Sequence, residues 1–243
     1  MDESIGLDKL FFELASESRL SILLELQKAP AKMHQVAQKL DITDTEAFRQ
    51  LHRLSEAFLI SRNPDATFSI TPYGKLVMHL TNSYRFVSRN RQCLNTRDIW
   101  RLPEPFIDRL GELDKTDLSL DIVEMLNHSA VAFKGAKEFI WTMSDRPSGP
   151  LGDVIAERIA KGVSFRVICP ESSRNLFKDL PVVKGQIESK VVPEIPIRLI
   201  CTEWVAGVNF YSIDGRADNA LFYGTDPKCI AYVKDLFEYY WRL

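Results

Sequence analysis

Through residues 7–28 apolar side chains recur at helical spacing, first in LDKLFFEL and then in ESRLSILLELQK, with Ala15-Ser16 as the break between two helices. Ala29-Pro30-Ala31 reads as a loop. MHQVAQKL then sets Met33, Val36, Ala37 and Leu40 on one stripe of a short helix. Thr43 and Glu46 fit the S/T-x-x-E capping box, in which the hydroxyl accepts from the first turn and the carboxylate reaches back, so a further helix begins at about Asp44. Within DTEAFRQLHRLSEAF, the residues Ala47, Leu51, Leu54 and Phe58 share a buried face. Thr45, Arg49, His52 and Glu56 project the other way, with Glu46 and Arg53 on one flank and Phe48 on the other. Residues 59–62 and 67–70 read as short strands around the turn Asn63-Pro64-Asp65. Thr71-Pro72 has the N-cap and first-turn chemistry of a last helix, whose apolar spacing runs through Tyr73, Leu76, Val77, Leu80, Tyr84 and Val87.

Further on the pattern changes. Residues 102–113 carry Pro103 and Pro105 ahead of a short helix and read as a connector. Helical and strand periods then alternate: a helix over 117–132, a strand over 139–144, a helix ending at Gly162, and strands over 164–169, 197–202 and 207–213. A turn at Asp214-Gly215 precedes ALFYG, and PKCIAYVKDLFEYYW closes the chain as an amphipathic helix. Residues 172–196 have Pro and Gly breaks and no period, and read as an irregular excursion suited to lid a pocket. The whole predicts an α+β winged helix-turn-helix followed by an α/β domain with a helix-covered sheet. Its expected limits are 1–91 for the first domain with its linker helix, 92–116 for the connector and 117–243 for the second domain.

Composition changes this picture little. The chain has 243 residues, 45% hydrophobic and 26% charged, which suffices for two cores. MDESIGLDKL lacks the basic cluster and apolar run of a secretory signal, and no apolar stretch reaches the roughly 18 residues of a membrane span, so a cytoplasmic protein without membrane contact is expected. Cys93, Cys169, Cys201 and Cys229 are far apart, with no C-x-x-C pair and no zinc-like His spacing. They read as reduced, mostly buried thiols, and no metal or other cofactor is expected. The net charge is −2, yet its distribution is uneven: residues 45–91 hold seven Lys/Arg against three Asp/Glu, whereas 1–44 hold five against eight and 92–243 hold nineteen against twenty-two. Only the middle segment is basic.

A helix of this length after a short helix and a tight turn is the arrangement that lays the second element of a helix-turn-helix in the major groove of double-stranded DNA. The candidate DNA-binding residues are Thr43, Thr45, Glu46, Phe48, Arg49, Gln50, His52 and Arg53 on and before this helix, with Arg62 as the one cation of the hairpin wing. Arginine can bond two acceptors of guanine at once, while Thr and Gln reach phosphates or base edges. By their positions on the helix, Arg49 is expected to face the groove and Arg53 a flanking phosphate.

Several runs, LASESRLSILLEL, EAFRQLHRLSEAFLI, FSITPYGKLV, RFVSRN, LPEPFIDRLGEL and LFEYYW, resemble archaeal winged-helix regulators that are ArsR-like in their first half and carry a methanogenesis-regulator middle domain in their second. That second domain is similar to the phospholipase-D-like sensor half of TrmB-type regulators. The resemblance covers nearly the whole chain and implies a homodimeric transcription factor with a degenerate phospholipase-D-like, ligand-sensing domain. Many members of the family have a small Gly near the position of Phe58, so the bulky residue here implies a reshaped entry to the wing.

For a small-molecule effector the candidates lie at strand ends: Trp141, Ser144, Arg166, Cys169, Cys201, Tyr211 and Asp214. Core packing is the competing account for the apolar ones. Arg166 alternates away from Phe165 and Val167 and would suit an anion or a neighbouring carboxylate equally. Phospholipase-D chemistry needs H-x-K-x-x-x-x-D, because histidine is the nucleophile and lysine clamps the phosphate. The matching strand reads GVNFYSIDG, with neither His nor Lys, and the chain has no G-x-x-x-x-G-K-[ST] and no G-x-G-x-x-G. No enzymatic activity is therefore expected. Alongside the DNA-binding regulator stand two other classes: a protein-interaction adaptor that uses its winged helix without DNA, and an enzyme with an accessory winged helix, which the missing motifs oppose.

Overall fold

In the computed structural model, which describes residues 6–146, 151–173, 187–215 and 218–243, the chain divides into two units, Met1–Thr81 and Asn82–Leu243. The first unit opens with helices α1 (Leu7–Leu14) and α2 (Glu17–Lys28). The break falls at Ser16, whose side chain accepts the Arg19 N–H and caps α2. Next come strand β1 (Ala31–Lys32), helix α3 (Met33–Leu40) and helix α4 (Asp44–Glu56). Asp41 turns the chain between these helices in the left-handed region, φ 52°, while the Ile42 N–H bonds the Ala37 carbonyl at 3.1 Å. Thr43 caps α4 by accepting the Glu46 N–H at 3.2 Å. The Glu46 carboxylate accepts from Arg49 and Gln50 along its own helix, in place of the expected reach back to Thr43.

Helix α4 is shorter than its apolar period predicts. It stops at Glu56, and Phe58 lies outside the buried stripe, 66% exposed and at φ 58°. The cause is a Schellman ending: the Phe58 N–H bonds the Ser55 carbonyl and the Leu59 N–H bonds the Leu54 carbonyl, each at 3.0 Å. Leu54 and Leu59, the residues at the two ends of the longer bond, are both fully buried in the core of this unit.

Strands β2 (Ile60–Arg62) and β3 (Thr67–Ile70) form the expected hairpin, and β1 adds to it in the order β1-β3-β2. The segment read as a loop at Ala31 is thus partly a strand, because Ala31 and Lys32 pair with Phe68 and Thr67. Thr71 bonds the Phe58 carbonyl at 2.7 Å and accepts the Gly74 N–H, which starts helix α5 (Pro72–Arg89). A Cβ on Gly74 would lie 2.1 Å from the Leu59 carbonyl oxygen, so only glycine admits this approach. The core holds Ile22, Leu23, Val36, Leu51, Leu54 and Ile60.

Helix α5 runs through the division at residue 81, ten residues before the expected domain end. After it come α6 (Arg91–Leu94), α7 (Glu104–Asp108) and two 3-10 turns, Ile99–Arg101 and Leu110–Leu113. The expected connector is part of the second core: Leu102, Phe106, Leu110 and Leu113 are buried, and the Tyr232 hydroxyl donates to the Phe106 carbonyl at 3.1 Å. The chain continues as β4 (Asp117–Ser119), α8 (Ile122–Gly135), β5 (Phe139–Met143), α9 (Gly152–Ala160), β6 (Ser164–Pro170), β7 (Ile187–Val192), β8 (Ile197–Thr202), β9 (Ala206–Phe210), β10 (Leu221–Gly224) and α10 (Pro227–Arg242).

The sheet is seven-stranded and mixed, in the order β4-β10-β9-β8-β5-β6-β7. Strands β5, β6 and β7 are parallel, and β8, β9, β10 and β4 alternate in direction. Two expectations change here. Residues 117–132 begin with strand β4 and the helix starts only at Ile122, because Asp121 caps it by accepting the Val123 and Glu124 N–H groups. The irregular excursion contains β7, an edge strand whose half-exposed pattern carries no clean alternation; the part at 174–186 lies outside the described residues. One face of the sheet packs on α10 through Trp141, Leu199, Val208, Phe210 and Phe222, and the other on α8 and α9 through Ile140, Phe165 and Val167. Among the described residues no helix is long and apolar enough to cross a membrane.

Candidate functional site

Two places in the fold gather polar chemistry, one in each unit. In the first, α4 turns Thr45, Phe48, Arg49 and His52 outward, while Ala47, Leu51 and Leu54 are buried. Arg49 is paired with Glu46 one turn back, and the His52 Nδ1 lies 3.4 Å from Glu56. The Arg49 side chain is 67% exposed, and an ion pair so open to water exchanges readily for a phosphate or a base edge. The Phe48 ring, 61% exposed, lies 6.2 Å from that of His52. Thr43 is committed as the cap of α4, and Arg62 is exposed on β2, with exposed Lys32 two strands away as a further cation of the wing sheet.

Two of the candidate DNA contacts are also bonded within the unit. Gln50 is 5% exposed, accepts from Arg19 at 3.0 Å and donates to Glu46 at 2.6 Å, so its carboxamide is spent inside the domain. Arg53 bonds Glu13 at 2.7 Å with its guanidinium 5.1 Å from the Phe12 ring centre, which ties α4 to α1. Both follow from Arg19, which is buried and unremarkable in the sequence. Its guanidinium also donates to the Phe12 and Glu13 carbonyls, and burial lowers its pKa against the opposing pull of Glu13.

The second place is a cleft of about 290 Å³ between α8, α9 and the sheet. Its shape comes from the unequal seating of α8. The last turns are held down, with Ala132 and Phe133 buried and the Trp204 indole donating to the Ala132 carbonyl at 3.1 Å. Gly135 permits this, since a Cβ there would lie 2.5 Å from the Trp204 ring. Toward its first turns α8 is less buried, and Met125 and Leu126 line a space with Phe133, Leu151, Ile155 and Ile200.

Strand alternation supplies the polar end. Ile197, Leu199 and Cys201 point to α10, which sends Arg198 to the cleft side; by the same alternation Asn209 lies between Val208 and Phe210. Ser144 and Arg146 follow β5 at this end. Arg198 bonds Asp145 at 2.6 Å and the Asp218 carbonyl at 3.1 Å, the Tyr211 hydroxyl donates to Asp145 at 2.9 Å, and Arg146 donates to Asn219 at 2.9 Å. Burial works against the Asp145 carboxylate, but the Arg198 bond and charge, with Tyr211, hold its pKa below the usual range. Burial and the same carboxylate push the Tyr211 phenol up to about 12. Burial, with the Arg198 charge beside it, lowers Arg146.

Of the seven effector candidates, Ser144 lines this cleft, and Tyr211 donates to Asp145, which is paired with the cleft residue Arg198. Trp141 and Arg166 sit on the opposite face, where Trp141 stacks on Phe237 and Arg166 pairs with Glu188 at 3.2 Å. Cys201 is buried on that face too, its thiol pushed up to about 12 by burial, and Cys169 packs in the α8/α9 core. Asp214 is exposed in a turn where Ser212 donates to it. These five lie outside the cleft, in packing, pairing and turn positions. Arg146, Arg198 and Asn209 were missed, although an Arg in IRLIC and an Asn in GVNFY are the same signal that singled out Arg166, a polar residue inside an apolar strand. Among the described residues no group of three or more His, Cys, Asp or Glu side chains is placed to hold a metal ion.

No family profile and no curated protein matches the sequence. Among solved structures the chain is similar to TrmBL2, an archaeal chromatin protein whose structure shows a novel mode of DNA binding, with 11% identity, 98% of each chain covered and a TM-score of 0.46. It is also similar to Nuc, a phospholipase D family member from Salmonella typhimurium, at 13% identity over 53% of this chain and 95% of that one, TM-score 0.41. The riboflavin-type dimethyltransferase RosA from Streptomyces davawensis matches at 13% identity over 76% and 63%, TM-score 0.28. All three likenesses fall below a TM-score of 0.5.

Proposed function

We propose that the chain is a cytoplasmic, homodimeric transcription regulator that binds double-stranded DNA sequence-specifically and is modulated by a small effector in the second unit. The observation that carries this reading is α4. It follows a short helix and a left-handed turn at Asp41, turns Thr45, Arg49 and His52 outward, and is followed by a three-stranded wing sheet with Arg62 at its edge. Electrophoretic mobility shifts of the full chain against the DNA upstream of its own coding region, with random DNA as competitor, test it. A shift that resists a large excess of competitor and weakens as salt rises is expected. Equal, weak binding to all DNA would overturn sequence-specific regulation.

A second copy of the chain fits the exposed stripe of α5. Tyr73, Leu76, Leu80, Tyr84 and Val87 repeat at steps of three, four, four and three, and each is 43% exposed or more. That is the spacing of a helix-helix seam, and a two-fold dimer presents two α4 helices to a palindromic site.

The adaptor reading has one observation in its favour, the exposed Phe48 and Phe58 on and after α4. It predicts a protein partner and no DNA shift. The chain is also proposed to lack phosphodiesterase activity: counted back from Asp214, the β9 segment offers Gly207 and Asn209 where that chemistry needs His and Lys. Turnover of bis-p-nitrophenyl phosphate lost on Asp214→Asn would overturn this.

A further inference from the structure

The cleft under α8 is apolar over most of its wall. Met125, Leu126, Phe133, Leu151, Ile155 and Ile200 line it, and at its rim Ile122 is 46% exposed. Apolar surface left wet in this way favours an occupant that removes it from water. At 290 Å³ the space lies near the lower end of the range that holds drug-sized ligands, about 300 to 1,000 Å³.

The buried neutral polar groups set into that wall are of one kind. Ser129, Thr142 and Asn209 are buried and line the cleft. The Ser129 hydroxyl donates to the Met125 carbonyl at 2.9 Å and the Thr142 hydroxyl to the Leu199 carbonyl at 3.2 Å, so each has given its one proton to the backbone and keeps only lone pairs. Asn209 is the third and carries the most weight. It is 3% exposed, and its Nδ2 donates to the Asp218 and Ala220 carbonyls, which fixes the orientation of the carboxamide. Its Oδ1 is buried without a partner. A buried acceptor of this kind is costly unless a donor meets it. Arg146 and Arg198, at the same end, hold partners within the protein: Arg198 bonds Asp145 and the Asp218 carbonyl, and Arg146 bonds Asn219.

We propose that this cleft binds a neutral, largely apolar molecule with a single hydroxyl, its body between α8 and the sheet and its O–H donated to the Asn209 Oδ1. The proposal rests on the effector reading above and gives that effector its chemical class. An ether or a carboxylate has no proton to give this acceptor, and an ammonium would face the guanidinium groups of Arg146 and Arg198. A molecule with many hydroxyls would leave most of them against apolar walls, where an unpaired polar group is costly.

Isothermal titration of the full chain with p-propylphenol, p-propylanisole and p-propylbenzoate tests it. The three share one body, and near neutral pH only the phenol has a proton to donate. The phenol is expected to bind one to one and about tenfold tighter than the other two, the difference that one hydrogen bond to a buried acceptor makes. Asn209→Leu should remove that preference and leave anisole binding in place, with circular dichroism checking the fold. Met125→Trp, at the partly exposed wall, disturbs none of the Asn209 bonds and should weaken every probe by about tenfold or more; with the wild-type comparison it decides the matter where Asn209→Leu fails to fold. An anisole as tight as the phenol would overturn the acceptor role, and a benzoate tighter than the phenol would overturn the neutral class. A phenol preference that survives Asn209→Leu, affinities untouched by Met125→Trp, or no binding of any probe would overturn the assignment of the cleft while leaving the DNA shift of the unliganded chain intact. Phenol bound as expected with that shift unchanged would retain the site and refute the effector reading.

Discussion

The Arg19 guanidinium reaches from α2 to the Gln50 side-chain carbonyl on α4 at 3.0 Å, and the same group holds the α1 carbonyls of Phe12 and Glu13. One buried cation therefore fixes the positions of three helices. A buried charge that loses a partner is expensive, and here the partners left behind would be two backbone carbonyls, a carboxamide and the Glu13 carboxylate. Arg19→Met is expected to lower the stability of the first unit by about 3 kcal/mol. Urea unfolding followed by circular dichroism measures it, and a loss within experimental error of zero would refute the anchoring role.

The same geometry separates the two arginines of α4. Arg49→Ala should cost on the order of 1 to 3 kcal/mol on the preferred site and relax its sequence preference, as loss of a bidentate base contact does. Arg53→Ala removes the contact with Glu13 and Phe12, so roughly 1 kcal/mol of stability should be lost. Its slope of log K against log salt should match that of the wild type. Binding isotherms at several salt concentrations distinguish the two, and a slope reduced by about one in Arg53→Ala would return that side chain to the phosphate backbone.

Phe58 holds a left-handed conformation at φ 58° in the Schellman position where glycine is usual. For an L-residue this costs roughly 1 to 2 kcal/mol, part of which a glycine would give back as extra chain entropy in the unfolded state. Phe58→Gly is expected to raise the melting temperature slightly, with a net gain of about 1 kcal/mol or less. A clear fall would mean that the exposed ring makes contacts worth more than the strain. If the ring is a partner contact, the same variant weakens that association while the fold becomes more stable.

The helices of the first unit were legible because their boundaries rest on local chemistry: Ser16, Thr43 and Thr71 each cap the helix that follows them. The period of three to four residues carried the right buried faces as well. It failed at Phe58, where the apolar spacing continues but the backbone has already turned, and at Gln50 and Arg53, which bond Arg19 on α2 and Glu13 on α1. In the second unit the central strands announced themselves as Val/Ile-rich runs, whereas β4 and β7 are a three-residue strand and a half-exposed one at the two sheet edges, with little apolar pattern to read. The cleft was not legible. Its walls come from α8, α9 and four strands, and its polar end from Ser144, Arg146, Arg198 and Asn209, so only the tertiary fold assembles it.

Leu80 lies at the middle of the exposed α5 stripe and is 58% exposed. A glutamate at that position would place an unpaired charge inside a helix-helix seam without disturbing the core. Leu80→Glu is expected to convert a dimer to a monomer at micromolar concentration, with unchanged circular dichroism. Multi-angle light scattering reads the mass directly. A wild-type chain that is monomeric both with and without DNA would overturn the dimer.

The last expectation concerns acid. Asp145 keeps its carboxylate charged below the usual range because, although burial opposes it, Arg198 and Tyr211 bond the ionised form. A group whose folded pKa is depressed binds its proton more weakly in the native state than in the unfolded chain. Its contribution is therefore complete above the unfolded value of about 4 and is lost as pH falls through the lower folded value. The second unit should accordingly lose stability as pH falls below about 4. Asp145→Asn removes the titrating group and leaves Arg198 without its ion partner, so the variant should be less stable at neutral pH and show a shallower dependence in that acid window. Chemical denaturation of both proteins at several pH values gives the two slopes. Equal slopes would mean that Asp145 does not hold its charge through this ion pair.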